Sequence, residues 1–221
     1  MTTRPDLDPQ IGSSMVFGHL PIAYDERVLR PRPWTVAQSR WAAELLRSVD
    51  GPAVALELCA GAGHIGLLAL AMADALPVRL VTVDLNPAAS EYTRRNAEAA
   101  GLAERVEVRL GRIDAVLGPD ERFDLVIADP PWVLRSETGR YPDDPLVAID
   151  GGDDGLDVVR DCLLASERHL VPGGSVVLQL GSDDQVLRVQ DHLRATESNL
   201  STQDVRSFGE HGVLLHLMAN V

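Results

Sequence analysis

The sequence predicts an α/β domain with a doubly wound, mostly parallel sheet, and three observations lead to that prediction. Short β-branched runs alternate with longer stretches rich in Ala, Leu and Arg, the pattern of successive βα units. The apolar run Phe123–Ala128 is nearly continuous, as in a strand buried on both faces. The last two apolar runs are joined by a turn at 209–212, which predicts an antiparallel hairpin rather than another crossover.

The first predicted helix spans about residues 35–49, ahead of the sheet. Trp41 and Val49 belong to an apolar set at helical spacing, and Thr35 stands where an N-cap is expected. Two prolines just upstream keep the preceding segment extended. We therefore expect an amphipathic helix that leads into the sheet.

Two βα units follow this helix. Ala53–Leu58 predicts the first strand, and the glycines of 61–66 turn the chain into an Ala/Leu-rich helix that ends before the next proline. Residues 78–83 predict the second strand. Pro87 then opens a helix that Gly101 ends, the asymmetry expected of helix termini.

The second half of the chain predicts the rest of the sheet. Val106–Leu110 is the third predicted strand and the apolar run that follows is a central fourth strand. The stretch that runs from the end of this fourth strand to about residue 155 is rich in Pro, Asp and Gly, and it is longer than an ordinary connection. We therefore expect it to border the active site. The remaining predicted elements are a helix over 156–170, a strand over 175–180, a helix over 183–194 and two strands over 203–208 and 213–218.

Length and composition fit one α/β domain. The chain has 221 residues, 45% of them hydrophobic, which is the ordinary globular range. We divide it into an N-terminal extension, 1–50, and a main domain, 51–221. No apolar run is long enough to cross a bilayer, and the first ten residues have neither a signal-peptide nor a transit-peptide pattern. We expect a cytoplasmic protein with a loosely ordered start.

Charge and cysteine content argue against several classes of site. A net charge of −13 disfavours nucleic acid, whose binding depends on Lys and Arg that neutralise phosphates, although a basic patch near Arg32 could coexist with it. Cys59 and Cys162 lack metal-type spacing and are best interpreted as small buried hydrophobes. We predict no metal site.

A glycine motif and a carboxylate predict a nucleoside cofactor. Gly61, Gly63 and Gly66 form G-x-G-x-x-G between a strand and a helix, where backbone N–H groups can face a ligand. Asp84, at the end of the next strand, can accept hydrogen bonds from two ribose hydroxyls. The alternative is a glycine turn in which Asp84 merely caps the helix that begins at Pro87.

Glu57 bears on which cofactor is bound. A carboxylate just upstream of the glycine turn would repel the pyrophosphate of a dinucleotide, but it complements the sulfonium and ammonium of S-adenosylmethionine. Its alternative role is a strand-end residue bonded to nearby backbone. We predict S-adenosylmethionine as the cofactor.

The chemical motif is Asp129-Pro130-Pro131-Trp132, at the carboxyl end of the fourth predicted strand. The prolines stiffen the turn and offer carbonyl oxygens, Asp129 offers an acceptor side chain and Trp132 a flat apolar face. Such a site can hold the N–H groups of an amide or amine and orient the nitrogen towards a methyl donor. The alternative is a proline turn with a core tryptophan.

Further motifs accompany these two in order along the chain. They are Phe-Gly-His-Leu-Pro at 17–21, Val-Leu-Arg-Pro-Arg-Pro at 28–33, Val-Asp-Leu-Asn-Pro at 83–87, the Asp/Gly run within 146–156 and Leu-Val-Pro-Gly-Gly at 170–174. Together they resemble the HemK-type protein-glutamine N-methyltransferases, within the class I methyltransferases that carry an Asn/Asp-Pro-Pro-aromatic motif.

The resemblance implies a Rossmann-like seven-stranded sheet with an antiparallel last strand, and methyl transfer to the nitrogen of a glutamine-like protein amide or a small molecule. Asp129, Pro130, Pro131 and Trp132 are then the catalytic positions. The implied cofactor contacts are Glu57, Cys59, Gly61, Gly63, Gly66, Asp84, Leu85, Arg112, Ile113 and Asp129.

Three features differ from the family pattern. Asp129 and Trp132 replace the usual Asn and Tyr, so the amide donor that grips a glutamine carbonyl is missing. With about fifty residues before the first predicted strand, we expect no N-terminal helical docking domain. The acidic position expected beside the adenine falls at Arg112, with Asp114 two residues on.

Other functions remain open at this level. An adenine N6-methyltransferase would use a similar motif, although the acidic charge disfavours it. The glycine motif also permits an NAD(P)-dependent oxidoreductase, for which no catalytic Tyr/Lys pair is found, or a catalytically silent cofactor-binding module. The histidines form no triad, and we expect His64 to cover the cofactor.

Overall fold

The structure is a computed structural model that describes residues 12–74 and 76–220; the predicted loose start at residues 1–10 lies outside them. The described chain begins with a β-hairpin of β1 (Ser13–Phe17) and β2 (Leu20–Tyr24), paired antiparallel. Gly18, at φ +62°, provides the left-handed residue of its tight turn. The sequence did not predict this hairpin.

The remaining elements follow the predicted alternation. The strands are β3 (Ala53–Leu58), β4 (Val78–Asp84), β5 (Val106–Leu110), β6 (Phe123–Ala128), β7 (Leu170–Leu180), β8 (Leu200–Ser207) and β9 (Val213–Ala219). The helices are α1 (Val36–Leu46), α2 (His64–Met72), α3 (Pro87–Ala99), α4 (Ile113–Val116), α5 (Leu146–Ile149), α6 (Asp157–His169) and α7 (Asp183–Ala195), with 3₁₀ turns at Pro33–Thr35, Ala103–Arg105, Arg135–Arg140 and Gly209–His211.

The central sheet has seven strands in the order β5-β4-β3-β6-β7-β9-β8. Strands β3 to β7 pair in parallel, whereas β9 is antiparallel to both of its neighbours. The prediction of a mostly parallel seven-stranded sheet with an antiparallel last strand is confirmed. The strand order reverses between β3 and β6, and ligands of open α/β sheets bind at the carboxyl ends of strands at such a reversal.

Two hydrophobic clusters sandwich the sheet. One contains residues of α1, α2 and α3 with the β1–β2 hairpin, and the other contains residues of α6 and α7. Neighbouring strand residues alternate between them, as Ala55 and Leu56 do on β3. Phe17 and Ile22 of the hairpin are fully buried, and each such side chain contributes about 2 kcal/mol relative to an exposed one. The hairpin, assigned from sequence to an N-terminal extension, therefore packs into the domain core.

Two local predictions need correction. Thr35 does occupy the N-cap position of α1, but its hydroxyl donates to the carbonyl oxygen of Arg32 instead of accepting an N–H group of the helix. The helix ends at Leu46 rather than Val49. The stretch up to residue 155, expected to be a loop, contains the Arg135–Arg140 turn and α5. No helix among residues 12–74 and 76–220 is long and apolar enough to cross a membrane.

Candidate active site

A cavity of about 190 Å³ opens at the predicted edge of the sheet. Loops after four parallel strands line one side of it, and the segment before α1 together with α5 and α6 lines the other. The lining residues are Val28, Leu29, Cys59, Ala60, Gly61, His64, Ile65, Val83, Asp84, Leu85, Asn86, Ala89, Gly111, Arg112, Ile113, Asp129, Pro131, Val147, Ala148, Val158 and Asp161.

The three motif glycines have different surroundings. Gly61 lies on the cavity wall at φ +55°, and a Cβ there would meet nothing within 4 Å. Gly63 and Gly66 face protein instead: a Cβ on Gly63 would lie 2.7 Å from Thr93, and one on Gly66 2.4 Å from an oxygen of Glu57. Gly61 therefore leaves room for a ligand, whereas the other two let the turn and α2 pack closely.

Asp84 lies where the predicted ribose-binding carboxylate should be. It lines the cavity, and its two oxygens accept hydrogen bonds from the backbone N–H groups of Gly61 and Asn86, each at 2.8 Å. The cap of α3 is Asn86, whose side chain accepts from the N–H of Ala88. The alternative in which Asp84 only caps that helix is thus wrong. Burial raises the pKa of Asp84.

Three carboxylates crowd this edge of the sheet. Burial raises the pKa of Glu57 to about 8, with the negative charges of Asp129 and Asp84 adding to the shift. Burial also raises the pKa of Asp129 to about 7, against the opposing charge of Arg32. Among the described residues, none of the three carboxylates has a salt bridge to a basic side chain. The region therefore favours a ligand that carries positive charge.

Glu57 itself lies beneath the cavity rather than on its wall. It is 2% exposed, and one carboxylate oxygen accepts the backbone N–H of Gly66 at 2.9 Å. The other oxygen has no partner within the described part of the chain. Glu57 could thus act on a ligand only through its charge or by a small movement.

A second cavity, of about 200 Å³, adjoins the first and shares Leu29, Asp129, Pro131 and Ala148 with it. Asp129 stands at the end of β6 with its carboxylate unpaired in the described chain. The other residues that line the second cavity are Arg32, Trp34, Thr35, Pro130, Trp132, Val133, Tyr141, Asp144, Ile149, Gln179 and Glu210. The structure thus brings all four motif residues to this cavity and places Asp129 and Pro131 between the two chambers.

Contacts from three segments fix the motif loop. The ring of Trp132 lies on Gly181, where a Cβ would come within 2.3 Å of it. The carbonyl oxygen of Trp132 accepts a hydrogen bond from Nε2 of Gln185 at 2.8 Å, and the following residue, Val133, pairs with the Ile149–Gly151 backbone. Each contact restricts the position of the tryptophan ring over the second cavity.

The segment before α1 forms the opposite wall. Arg32 pairs with Asp144 and lies 5.8 Å from the ring of Trp34, which in turn stacks on His211 at 4.5 Å. The ion pair with Asp144 anchors Arg32 to this wall. Arg30 is exposed and makes no ion pair within the described residues.

Four other predicted cofactor contacts line the first cavity. Leu85 is 57% exposed at its rim, Ile113 and Cys59 lie on its walls, and Arg112 pairs with Asp114. Asp114 is therefore engaged by a basic neighbour and does not line the cavity.

His64 also lines the first cavity, against the edge of Phe17. Burial lowers its pKa to about 3, so the ring is neutral. Within 12–74 and 76–220, no cluster of side chains could hold a metal ion.

Sequence reasoning missed three glutamines around this site: Gln38, Gln179 and Gln185. All are buried, and each donates to at least one backbone carbonyl of the motif loop or of β6 and β7. A glutamine has no local sequence pattern, so only its position in the fold reveals such a role.

Comparison with known proteins gives a consistent result. Residues 55–137 match a family model described as a methyltransferase domain. The chain is 37% identical to the ribosomal protein uL3 glutamine methyltransferase of Bradyrhizobium diazoefficiens, over 73% of this chain and 53% of that protein. It is also 37% identical to the release factor glutamine methyltransferase of Gloeobacter violaceus, over 73% of this chain and 57% of that protein. The chain thus spans little more than half the length of these relatives.

The fold has solved counterparts. The N-terminal domain of human METTL16 in complex with SAH superposes with a TM-score of 0.65 at 16% identity, covering 90% of this chain and 75% of that one. At this identity the likeness shows the fold alone.

Proposed function

We propose that the chain is a class I, S-adenosylmethionine-dependent methyltransferase of the HemK type that methylates the side-chain amide nitrogen of a glutamine in a protein. The observation that carries the proposal is the pair of adjoining cavities with Asp129 between them. One cavity has the glycine loop and ribose-type carboxylate of a nucleoside site, and the other has the Asp-Pro-Pro-Trp motif.

The residues of the first cavity fit S-adenosylmethionine. Asp84 would accept the ribose hydroxyls, since each of its oxygens keeps a lone pair beyond its present backbone contact. Leu85 and Ile113 offer apolar surface to the adenine, and the open side of Gly61 admits the methionine part. The uncompensated carboxylates suit the sulfonium and ammonium groups. When bound, the cofactor supplies a methyl group on positively charged sulfur.

Asp129 would hold the acceptor nitrogen, and Pro130 and Pro131 line the same cavity. By accepting one of its N–H groups, Asp129 turns the nitrogen lone pair towards the first cavity, which is catalysis by positioning and electrostatics. Formation of the N–CH₃ bond leaves the nitrogen positive until it loses one proton. Asp129, whose pKa is raised to about 7, can take that proton.

A glutamine also presents a carbonyl oxygen, which needs a donor. Asp129 in its ionised form has none, in contrast to the Asn of the usual motif. Arg32 lines the same cavity and carries guanidinium N–H groups on the wall opposite the motif. We assign Arg32 to the carbonyl oxygen.

A protein acceptor fits the charge of the molecule better than a nucleic acid does. The net charge is −13, and the second cavity holds Asp144 and Glu210 beside Arg32, the one Lys or Arg among the described residues that line it. Phosphate backbones would be repelled from such a surface. The relatives named for ribosomal protein uL3 and for release factor support the same class of acceptor.

The test is a methyl-transfer screen with isotope-labelled cofactor. Purified uL3 and release factor are the candidate acceptors, and small amines and adenine-containing RNA are the controls. We expect label on one glutamine of a protein acceptor, located by tandem mass spectrometry as N-methylglutamine. Label confined to RNA would establish the adenine alternative, and no label on any acceptor would favour a silent cofactor-binding module.

A further inference from the structure

Gln179, near the end of β7, is a buried residue that no sequence motif identifies. It lines the second cavity, which the proposed function assigns to the methyl acceptor and which we call the acceptor cavity. We propose that its Oε1 is a second N–H acceptor beside Asp129, so that the site selects a primary amide by both of its N–H groups. This inference rests on the proposed function and specifies how its substrate is recognised.

Hydrogen bonds fix the orientation of the Gln179 amide. Its Nε2 donates to the carbonyl oxygens of Leu180, at 2.9 Å, and of His211, at 3.3 Å. The flipped amide would set its own oxygen against those two oxygens, so only one orientation is chemically reasonable. Gly212 makes room for Nε2, since a Cβ at that position would lie 2.4 Å from it.

The oxygen of this amide is left for a ligand. Gln179 is only 3% exposed, and its Oε1 accepts no hydrogen bond from any described residue. This oxygen is also not completely enclosed by protein atoms, so it borders open space. Gln179 lines the second cavity, where a ligand can reach it. A buried acceptor that no protein group satisfies gains most from a ligand that donates to it.

Asp129 and Gln179 follow two paired residues of neighbouring strands. Ala128, the last residue of β6, pairs in parallel register with Leu178 of β7, so Asp129 and Gln179 come next along the chain, and both line the second cavity. Gln38 of α1 holds this pair of strand ends together, because its Nε2 donates to the carbonyl oxygens of Ala128 and Val177, both at 3.0 Å. The two acceptors therefore belong to one rigid part of the sheet.

The number of acceptors sets the substrate preference. A primary amide has two N–H groups and can satisfy both Asp129 and Gln179, whereas an N-methylamide has one and an N,N-dimethylamide has none. Each N–H removed leaves a buried acceptor unpaired, which lowers affinity by about tenfold. The site is thus expected to bind its substrate more tightly than its own methylated product.

Competition binding on the wild-type protein tests this stepwise loss. The probes are three peptides around the modified glutamine of the acceptor found in the screen, with the glutamine as primary amide, N-methylamide or N,N-dimethylamide. We expect inhibition constants that rise by about tenfold at each step. Equal constants for the primary amide and the N-methylamide would mean that only one acceptor is used, and would overturn the inference whatever a variant does.

The variant Gln179→Met tests whether this residue is the second acceptor. Gln203→Met, on the exposed edge strand β8, is the matched control. We expect the variant to reduce the preference for the primary amide over the N-methylamide by about tenfold, while its affinity for S-adenosylhomocysteine and the control's preference stay unchanged. A purely structural loss would weaken all peptides alike, so an unchanged ratio overturns the role of Gln179. No transfer to any protein by the wild-type chain would overturn the proposed function as well.

Discussion

At the scale of single residues, the site is characterised by carboxylates that form no salt bridge with any described basic side chain. Glu57, Asp84 and Asp129 all have raised pKa values because burial disfavours their charged forms. Buried carboxylates without a cation raise the electrostatic free energy of the protein, and a bound cation lowers it. The three carboxylates thus connect the local electrostatics to the choice of a sulfonium cofactor over an anionic dinucleotide.

Cofactor binding should therefore release protons. With pKa values of about 7 for Asp129 and about 8 for Glu57, both groups are partly protonated near neutral pH, and a bound sulfonium lowers these values. The bound state then holds fewer protons, so the affinity for S-adenosylmethionine rises as pH increases from about 6 to 8.

Titration calorimetry in buffers of different ionisation enthalpy measures this release. S-adenosylhomocysteine, which lacks the sulfonium charge, is the control ligand and should release fewer protons. Glu57→Gln should remove the pH dependence near pH 8, because Glu57 is the group with a pKa of about 8. Identical proton release by both ligands would show that the carboxylates do not respond to the sulfonium.

The sequence identified the site residues that belong to motifs, but it did not identify the buried glutamines that surround them. Gly61, Asp84 and Asp129 stand at strand ends that hydrophobic patterning could locate, so their convergence followed from parallel topology. Whether a glycine faces the ligand or the protein depends on what packs against it, and here Gly66 faces Glu57. That distinction requires coordinates.

At the scale of elements, the start of α7 holds the active-site loops together. Gln185 is 6% exposed; its Nε2 donates to the carbonyl oxygens of Trp132 and Gly155, and its Oε1 accepts the N–H of Gly181. One side chain thus joins the loop after β6, the Asp/Gly-rich loop and the loop after β7. It is a positioning residue, since it reaches the acceptor cavity only through Trp132.

Gln185→Met should loosen the motif loop without opening the core. Because the Trp132 ring would lose its fixed position, we expect the KM for the acceptor to rise by about tenfold, while the affinity for S-adenosylhomocysteine stays unchanged. Trp132→Ala should raise the same KM at least as far. Gln190→Met, farther along α7 and away from the loops, is the matched control. A general loss of stability in Gln185→Met with normal KM would contradict the positioning role.

The elements themselves were largely predictable, with one informative exception. Strongly apolar strands such as β6 and helices bounded by Pro and Gly matched their predicted positions closely. The β1–β2 hairpin was missed because its strands have five residues each and its first strand is mostly exposed. Its stability comes from tertiary contacts, including the amide of Asn96, which bonds both backbone groups of Ala23.

At the scale of the whole molecule, topology explains why the two chambers meet. The strand order reverses between β3 and β6, so the glycine loop after β3 and the motif after β6 leave the sheet side by side. The first chamber extends from there towards Asp84 on β4, and the second towards Gln179 on β7. Asp129 lines both cavities, and in the proposed function it lies between the cofactor and the acceptor, as methyl transfer requires.

The measurement that tests this account most directly compares Asp129→Ala with Asp84→Ala in cofactor affinity and in turnover. Asp129→Ala should lower kcat by about a hundredfold, near 3 kcal/mol, yet keep the affinity for S-adenosylhomocysteine. Asp84→Ala should weaken that affinity by about 1 to 3 kcal/mol, because charge-assisted hydrogen bonds to the ribose are lost. Wild-type turnover in a correctly folded Asp129→Ala protein, or unchanged affinity in Asp84→Ala, would contradict the division of the site into these two chambers.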